Sequence, residues 1–259
     1  MLFARFRHHQ RESYGLVDED HVRPIEGDLF GRHRVSDEAI ALDSVRLLAP
    51  LRPGKILAAA VNYPSHVAGS RRMTGMAEAP SEPALFLKPS SSIIGPGETI
   101  ILPRGAGRVD YEGELVAVIG RTCRGVATEE ALDHVFGYTC GNDVSARQWQ
   151  RGDLQWWRAK GSDTFSPIGP FIATGLNPAD LELRTRLGGR EVQAANTSAL
   201  IHSVAALVSF ASQAMTLEPG DLVFTGTPGE TGQLSAGDVV EVEVSGIGAL
   251  RNVVTAEDA

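Results

Sequence analysis

Cysteine is scarce: Cys123 and Cys140 are the two cysteines in 259 residues. That is too few for a disulfide framework, so both are expected as reduced thiols of a cytoplasmic protein. Long apolar runs are missing as well. No window approaches about 18 uninterrupted apolar residues, the length a helical membrane span needs, so no membrane span is expected. The opening MLFARFRHHQ lacks the apolar core of a secretory signal and is not read as one. No basic tract offsets the formal charge of −8, which argues against nucleic acid as a partner. Signatures of two other catalytic classes are also absent. There is no G-x-S-x-G nucleophile elbow, and GIGAL at 246–250 lacks the strand–turn–helix setting and glycine pattern of a nucleotide loop.

What is present is turn-rich. Gly 28 and Pro 14 are both high while only 22% of residues are charged, a balance that favours short strands and many turns over long helices. The length suits one sizeable core with a small appended module. Pro50, Pro53 and Gly54 punctuate the chain, which predicts a small β-rich N-terminal domain over 1–54 and a core domain over 55–259. In the first, YGLVDEDHVRPI reads as two strands around an acidic turn. In the second, KILAAAVNY reads as an apolar strand that delivers Asn62, Tyr63 and His66, followed by a loop or short helix over 66–83 that orders over a ligand. ALFLKP and TIILP read as short strands. Helices are predicted over 128–136, capped by Thr128 with Ala131, Leu132, Val135 and Phe136 as its apolar stripe, and over 198–215, behind Ser198.

The chemistry starts in RVDYEGELVAVIG, residues 108–120. Side chains alternate along a strand, so Glu112 and Glu114 share a face and Gly113 points away. Two carboxylates beside an apolar run repel each other and resist desolvation, so that face is either wet or carries positive charge. Spacing alone does not decide, because VVEVEV at 239–244 repeats the pattern where it reads as an ordinary solvent face. Downstream, YTCGNDVSARQWQ places Asp143 among small polar residues. Three converging carboxylates need a compensating cation, and hard oxygen donors suit Mg²⁺, Mn²⁺ or Ca²⁺. The alternative is a solvated acidic strand plus an aspartate in a turn. Arg147 and Gln150 follow Asp143 at helical spacing and suit an acidic substrate. Lys160, in the loop-like RAKGSDTFSPIGP, and Thr227, in TGTPG, are further candidates, against plain readings as a solvated lysine and a structural turn.

Taken in order, NYPSH, FLKPSSSIIGPG, DYEGELVAVIG, FGYTCGNDVSARQWQ, KGSDTFSPIGPFI and GDLVFTGTPGE resemble the fumarylacetoacetate hydrolase family over roughly residues 55–253. The N-terminal block resembles the small leading domain of bacterial members. The resemblance implies a mixed α+β, β-rich fold with a β-roll-like core and a small N-terminal β domain, and a homodimer. It implies Mg²⁺ (or Mn²⁺) held by Glu112, Glu114 and Asp143. Asn62, Tyr63, Arg147, Gln150, Lys160 and Thr227 would line the pocket of a small carboxylate substrate, with His66 and Lys160 catalytic. The implied reactions on 2-oxo and β-diketo acids are C–C hydrolysis, isomerisation or tautomerisation, and β-decarboxylation. A non-catalytic 2-oxo-acid binding protein is the reading of another class. One departure stands out. Family members that hydrolyse or decarboxylate commonly carry a glutamate three residues after the histidine, and here that position is Gly69. Glu78 or Glu82 is a candidate replacement, and Arg71 and Arg72 suggest closure over an anion.

Overall fold

The Gly113–Ile119 strand is buried on both faces over its whole length, and the molecule is arranged around it. In this computed structural model, which describes residues 1–67 and 80–257, it pairs antiparallel with Val135–Asn142 on one side and with Leu222–Phe224 on the other. Ile56–Ala59 runs parallel to Leu222–Phe224 and carries Leu85–Lys88 at its edge. On the far side, Val135–Asn142 pairs with Ser166–Ala173. Leu2–His8 then pairs with Ser166–Ala173 through Leu2↔Ala173 and Phe3↔Ile172. The N-terminal meander Leu2–His8, Arg11–Asp18 and His21–Gly27 therefore continues the same sheet, which joins thirteen of the described strands.

A second sheet orders Thr99–Leu102, Gly248–Ala256, Val239–Val244, Glu182–Leu187 and Arg190–Asn196. Alternation along the central strand divides the core. Leu115, Ala117 and Ile119 face Leu183, Val242, Val244 and Leu250 of the second sheet, together with Leu207 and Val208 of the helix Val204–Ala214. Val116 and Val118 face Ile56, Ala58, Ile168, Ile172 and Phe224. Each such fully buried aliphatic side chain stabilises the fold by about 1.5–3 kcal/mol, and this offsets the cost of the polar cluster at the strand's end. Gly113 lies on the inter-sheet face, where an added Cβ would meet Thr185 Oγ1 at 2.0 Å. The architecture is the β-rich α+β one expected, with a small N-terminal β region.

Two elements differ from expectation. The stretch read as a helix over 128–136 is a short 3₁₀ turn, Ala131–His134, with no side-chain cap. Val135 and Phe136 instead open the next strand, where Val135 pairs with Ile119. Pairing with the central strand outweighs a local helical stripe. The second helix begins later than expected, at Val204 with Ser203 as its cap, and ends at Ala214. Thr197–Ala199 is a separate 3₁₀ turn. Among the described residues, no helix is long and apolar enough to cross a membrane.

Candidate active site

The register Gly113↔Asn142 sets Glu112 opposite Asp143, one residue beyond the paired ends of two neighbouring strands. The Asp143 N–H donates to the Glu112 carbonyl at 2.8 Å, and the Glu112 N–H donates to Asn142 Oδ1 at 2.9 Å. Glu114 follows on the same face as Glu112. Carboxylate oxygens of Glu112, Glu114 and Asp143 all lie within 4.8 Å of one another, and all three residues are buried. Of the two readings open at 112 and 114, the solvated strand is therefore excluded. At 239–244 the solvent-face reading holds: Glu241 and Glu243 are half-buried and face Arg251 and Arg186.

Buried carboxylates need compensation, and three cations provide it. Lys160 Nζ lies 2.6 Å from Glu112 Oε2 and 2.5 Å from Asp143 Oδ2. Lys88 Nζ pairs with the other Asp143 oxygen and donates to the Phe165 carbonyl at 3.0 Å. Arg147 bridges Glu112 Oε1 at 2.5 Å and Asp110 Oδ2 at 2.9 Å. Its remaining donors reach Gln150 Oε1 and Thr231 Oγ1. Arg108 covers the outer side of Asp110. Burial opposes the charge of Glu112, yet Lys160 and Arg147 outweigh it and hold its carboxyl far below the usual range. Burial likewise opposes the Lys160 ammonium, and Asp143 and Glu112 keep it charged. At Lys88 burial wins, and its pKa is lowered.

Glu114 is the exception. One oxygen accepts from the Gly226 N–H at 2.7 Å, while the other is buried with no partner among the described residues. Burial first, then the charges of Asp143 and Glu112, push its carboxyl well above the ordinary value. A buried carboxylate oxygen without a partner, grouped with two further carboxylates, fits a hard divalent cation such as Mg²⁺ or Mn²⁺. These three residues would hold it.

The other expected site residues divide into two groups. His66 is buried, and its ring lies near enough to Glu112 for a positive charge there to favour the carboxylate. Its Nδ1 faces the Gly229 carbonyl at 2.8 Å. Tyr63 is buried with its hydroxyl unpaired among the described residues, and burial reinforced by Glu114 raises its pKa so that it stays a neutral phenol. Lys160 sits in the short helix Trp157–Gly161, buried and not solvated as a lone loop lysine would be. Arg147 and Gln150 share the helix Arg147–Gly152. The Arg147 guanidinium, expected to grip a substrate carboxylate, is engaged by Asp110 and Glu112 in this structure, as a buried cation requires. Asn62 and Thr227 have scaffold partners. The Asn62 amide donates to the His202 and Thr225 carbonyls. The Thr227 hydroxyl donates to the Gly113 carbonyl at 2.8 Å and accepts from Gln193 Nε2 at 2.9 Å. Glu82 is exposed, whereas Gly69, Arg71, Arg72 and Glu78 lie outside the described residues.

Sequence reasoning missed Lys88 and Asp110. A lysine closing the apolar strand Leu85–Lys88 was a weak signal for the first, since such a residue is ordinarily exposed. Asp110 sits two residues before Glu112, but its value here comes from Arg147, 37 residues away.

Fold and site together define a β-rich protein with a buried three-carboxylate cluster of metal-ligand geometry. The family model "Fumarylacetoacetate (FAA) hydrolase C-terminal" matches residues 55–255, and "Rv2993c-like, N-terminal" matches residues 1–50. The chain belongs to the fumarylacetoacetate hydrolase family. It is 46% identical over 243 residues to Protein Rv2993c of Mycobacterium tuberculosis, covering 93% of this chain and 90% of that protein. The solved structure of 5-carboxymethyl-2-hydroxymuconate delta-isomerase from Mycobacterium smegmatis superposes with a TM-score of 0.92 at 42% identity, covering 99% of this chain and 100% of that one. Maleylpyruvate hydrolase from Sphingobium sp. SYK-6, solved with manganese(II) and pyruvate, superposes with a TM-score of 0.82 at 30% identity over the full length of both chains.

Proposed function

We propose that the protein is a divalent-metal-dependent hydrolase that cleaves a C–C bond in a small acylpyruvate or β-diketo acid. The carrying observation is the buried Glu112–Glu114–Asp143 cluster with His66 beside it. A bound Mg²⁺ or Mn²⁺ would supply Lewis acidity to a 2-oxo acid and offset the negative charge that grows on its keto oxygen. Lys160 adds fixed positive charge at the same place, and its buried position strengthens that effect. His66, its Nδ1 turned to a carbonyl, keeps Nε2 as the proton acceptor for water. Water adds to the carbonyl remote from the carboxylate, the bond to the intervening carbon breaks, and that carbon takes up a proton. A carboxylic acid and a pyruvate-type acid leave. The neutral Tyr63 phenol can donate a hydrogen bond to the oxyanion. The manganese and pyruvate held by the maleylpyruvate hydrolase relative support this reading.

A second reading, isomerase or tautomerase, is favoured by one observation. Among the described residues, His66 bonds to a neutral carbonyl and to no carboxylate, which suits proton relocation better than strong activation of water. The isomerase relative supports it too.

A panel of acylpyruvates, oxaloacetate and 2-hydroxymuconate-type dienes, with Mg²⁺ and Mn²⁺, tests these readings. Release of two acids is the expected result. An ultraviolet change without a change of mass assigns isomerisation, and CO₂ assigns decarboxylation. Binding of oxalate or pyruvate with no turnover assigns a binding protein. Glu114→Ala is expected to abolish turnover, and full activity of that variant in Mg²⁺ removes Glu114 from the ligand set. We also propose a homodimer. Leu87, Leu154, Trp157 and Phe210 are exposed along one apolar groove, the kind of patch that supports self-association. Light scattering should return twice 27.6 kDa.

A further inference from the structure

A histidine that moves protons must keep one ring nitrogen protonated and oriented while the other stays free. In many enzymes a carboxylate does the orienting. Here Nδ1 of His66 lies 2.8 Å from the carbonyl oxygen of Gly229. A carbonyl only accepts, so Nδ1 carries the proton and Nε2 keeps its lone pair. The carbonyl is itself held, because the N–H of the same Gly229 donates to Ser65 Oγ at 3.0 Å. Two consecutive residues, Ser65 and His66, thus grip both polar groups of one distant residue.

The gripped loop is well anchored. Gly229 has φ +62 with no atom of the described residues within 4 Å of an added Cβ, so its left-handed backbone calls for glycine. Gln193 Nε2 donates to the adjacent Pro228 carbonyl at 2.7 Å and to the Thr227 hydroxyl. The Gly226 N–H of the same loop donates to Glu114. One loop therefore positions both the base and a candidate metal ligand.

We infer that Ser65 is a positioning residue which, through the Gly229 peptide, fixes the tautomer and aim of His66, a role that no carboxylate fills among the described residues. The inference rests on the reading of His66 as the proton-transfer base. Because the orienting group is neutral, it selects the tautomer without adding a negative charge to stabilise the imidazolium.

The test uses full-length, Mg²⁺-loaded protein with ¹⁵N-labelled histidine. Long-range proton–nitrogen correlation reports which ring nitrogen carries the proton, and His66→Gln identifies the His66 signals by their loss. The expected wild-type result is a single Nδ1–H tautomer. Ser65→Ala is expected to give mixed tautomers and to lower kcat about tenfold, a fraction of what general-base catalysis supplies, with KM little changed. Ser65→Thr, which retains a hydroxyl, is expected to restore both. An Nε2–H tautomer in the wild type, or an Ser65→Ala ring spectrum identical to wild type, overturns the inference. A protein that turns over nothing in the panel yet shows the Nδ1–H tautomer lost in Ser65→Ala supports the orienting device and counts only against the enzyme reading.

Discussion

Glu114 and Lys160 occupy opposite electrostatic positions within one cluster, and their substitutions should separate cleanly. Glu114 has one buried oxygen without a partner among the described residues, so Glu114→Gln removes a desolvated acid without stranding a cation. The metal-free variant is expected to melt no lower than wild type, while the Mg²⁺-dependent rise in Tm disappears. Lys160 is shared by two buried carboxylates. Removing one member of a buried ion pair costs about 3–5 kcal/mol, so Lys160→Met is expected to destabilise metal-free protein by about that amount. Added Mg²⁺ should recover part of the loss, since it returns positive charge to Glu112 and Asp143. Melting curves with and without Mg²⁺ check both, and equal behaviour of the two variants would refute the asymmetry. The sequence made the three carboxylates and Lys160 legible through segment resemblance. It did not reveal Lys88, whose Asp143 partner stands 55 residues away, because no local pattern encodes which distant charge will face a strand end.

At the scale of elements, the strand Gly113–Ile119 shows what alternation can and cannot tell. That Glu112 and Glu114 share a face followed from a period of two, and the structure agrees. Whether that face is dry did not follow, because Glu241 and Glu243 have the same spacing on a half-buried strand. Burial is decided by which strands pair on either side, and the central strand has neighbours on both. The same long-range pairing explains the shortened helix after Thr128: Val135 and Phe136 fit a helical stripe locally, yet the strand slot beside Ile119 buries them against more of the molecule. Gly113 is the residue on which the element's position depends. Its missing side chain lets Thr185 of the second sheet approach, and a Cβ there would meet Thr185 Oγ1 at 2.0 Å. Gly113→Ala must turn the Thr185 side chain or shift the strand end, and overpacking of this kind costs about 1–3 kcal/mol. Both carboxylates flank that point, so Mg²⁺ affinity should fall with stability. Titration calorimetry showing wild-type affinity in Gly113→Ala would mean that the strand end tolerates the shift.

Across the whole molecule, the N-terminal strands and the core share one sheet, and a charged cluster ties the connection between them. Glu12 pairs with Arg5, with Arg7 at 2.6 Å and with Arg52 at 3.2 Å. Arg5 also donates to the Ala49 carbonyl at 3.2 Å. Hydrogen bonds from Arg7 and Arg5 lower the Glu12 carboxyl from 4.5 to about 2. A depressed folded pKa contributes stability that is present above the unfolded value and lost as pH falls toward the folded one. Wild-type protein should therefore lose more urea resistance between pH 5 and pH 3 than Glu12→Gln does. The variant should be the less stable at pH 7, and the gap should narrow as the solution is acidified. Because Leu2–His8 is hydrogen-bonded to Ser166–Ala173, the loss is expected within one cooperative unfolding transition and not as separate melting of an N-terminal unit. A gap that stays constant from pH 7 to pH 3 would show that Glu12 acts through packing and not through its charge. Two resolved transitions, with the acid sensitivity confined to the first, would show that the shared sheet does not couple the two parts.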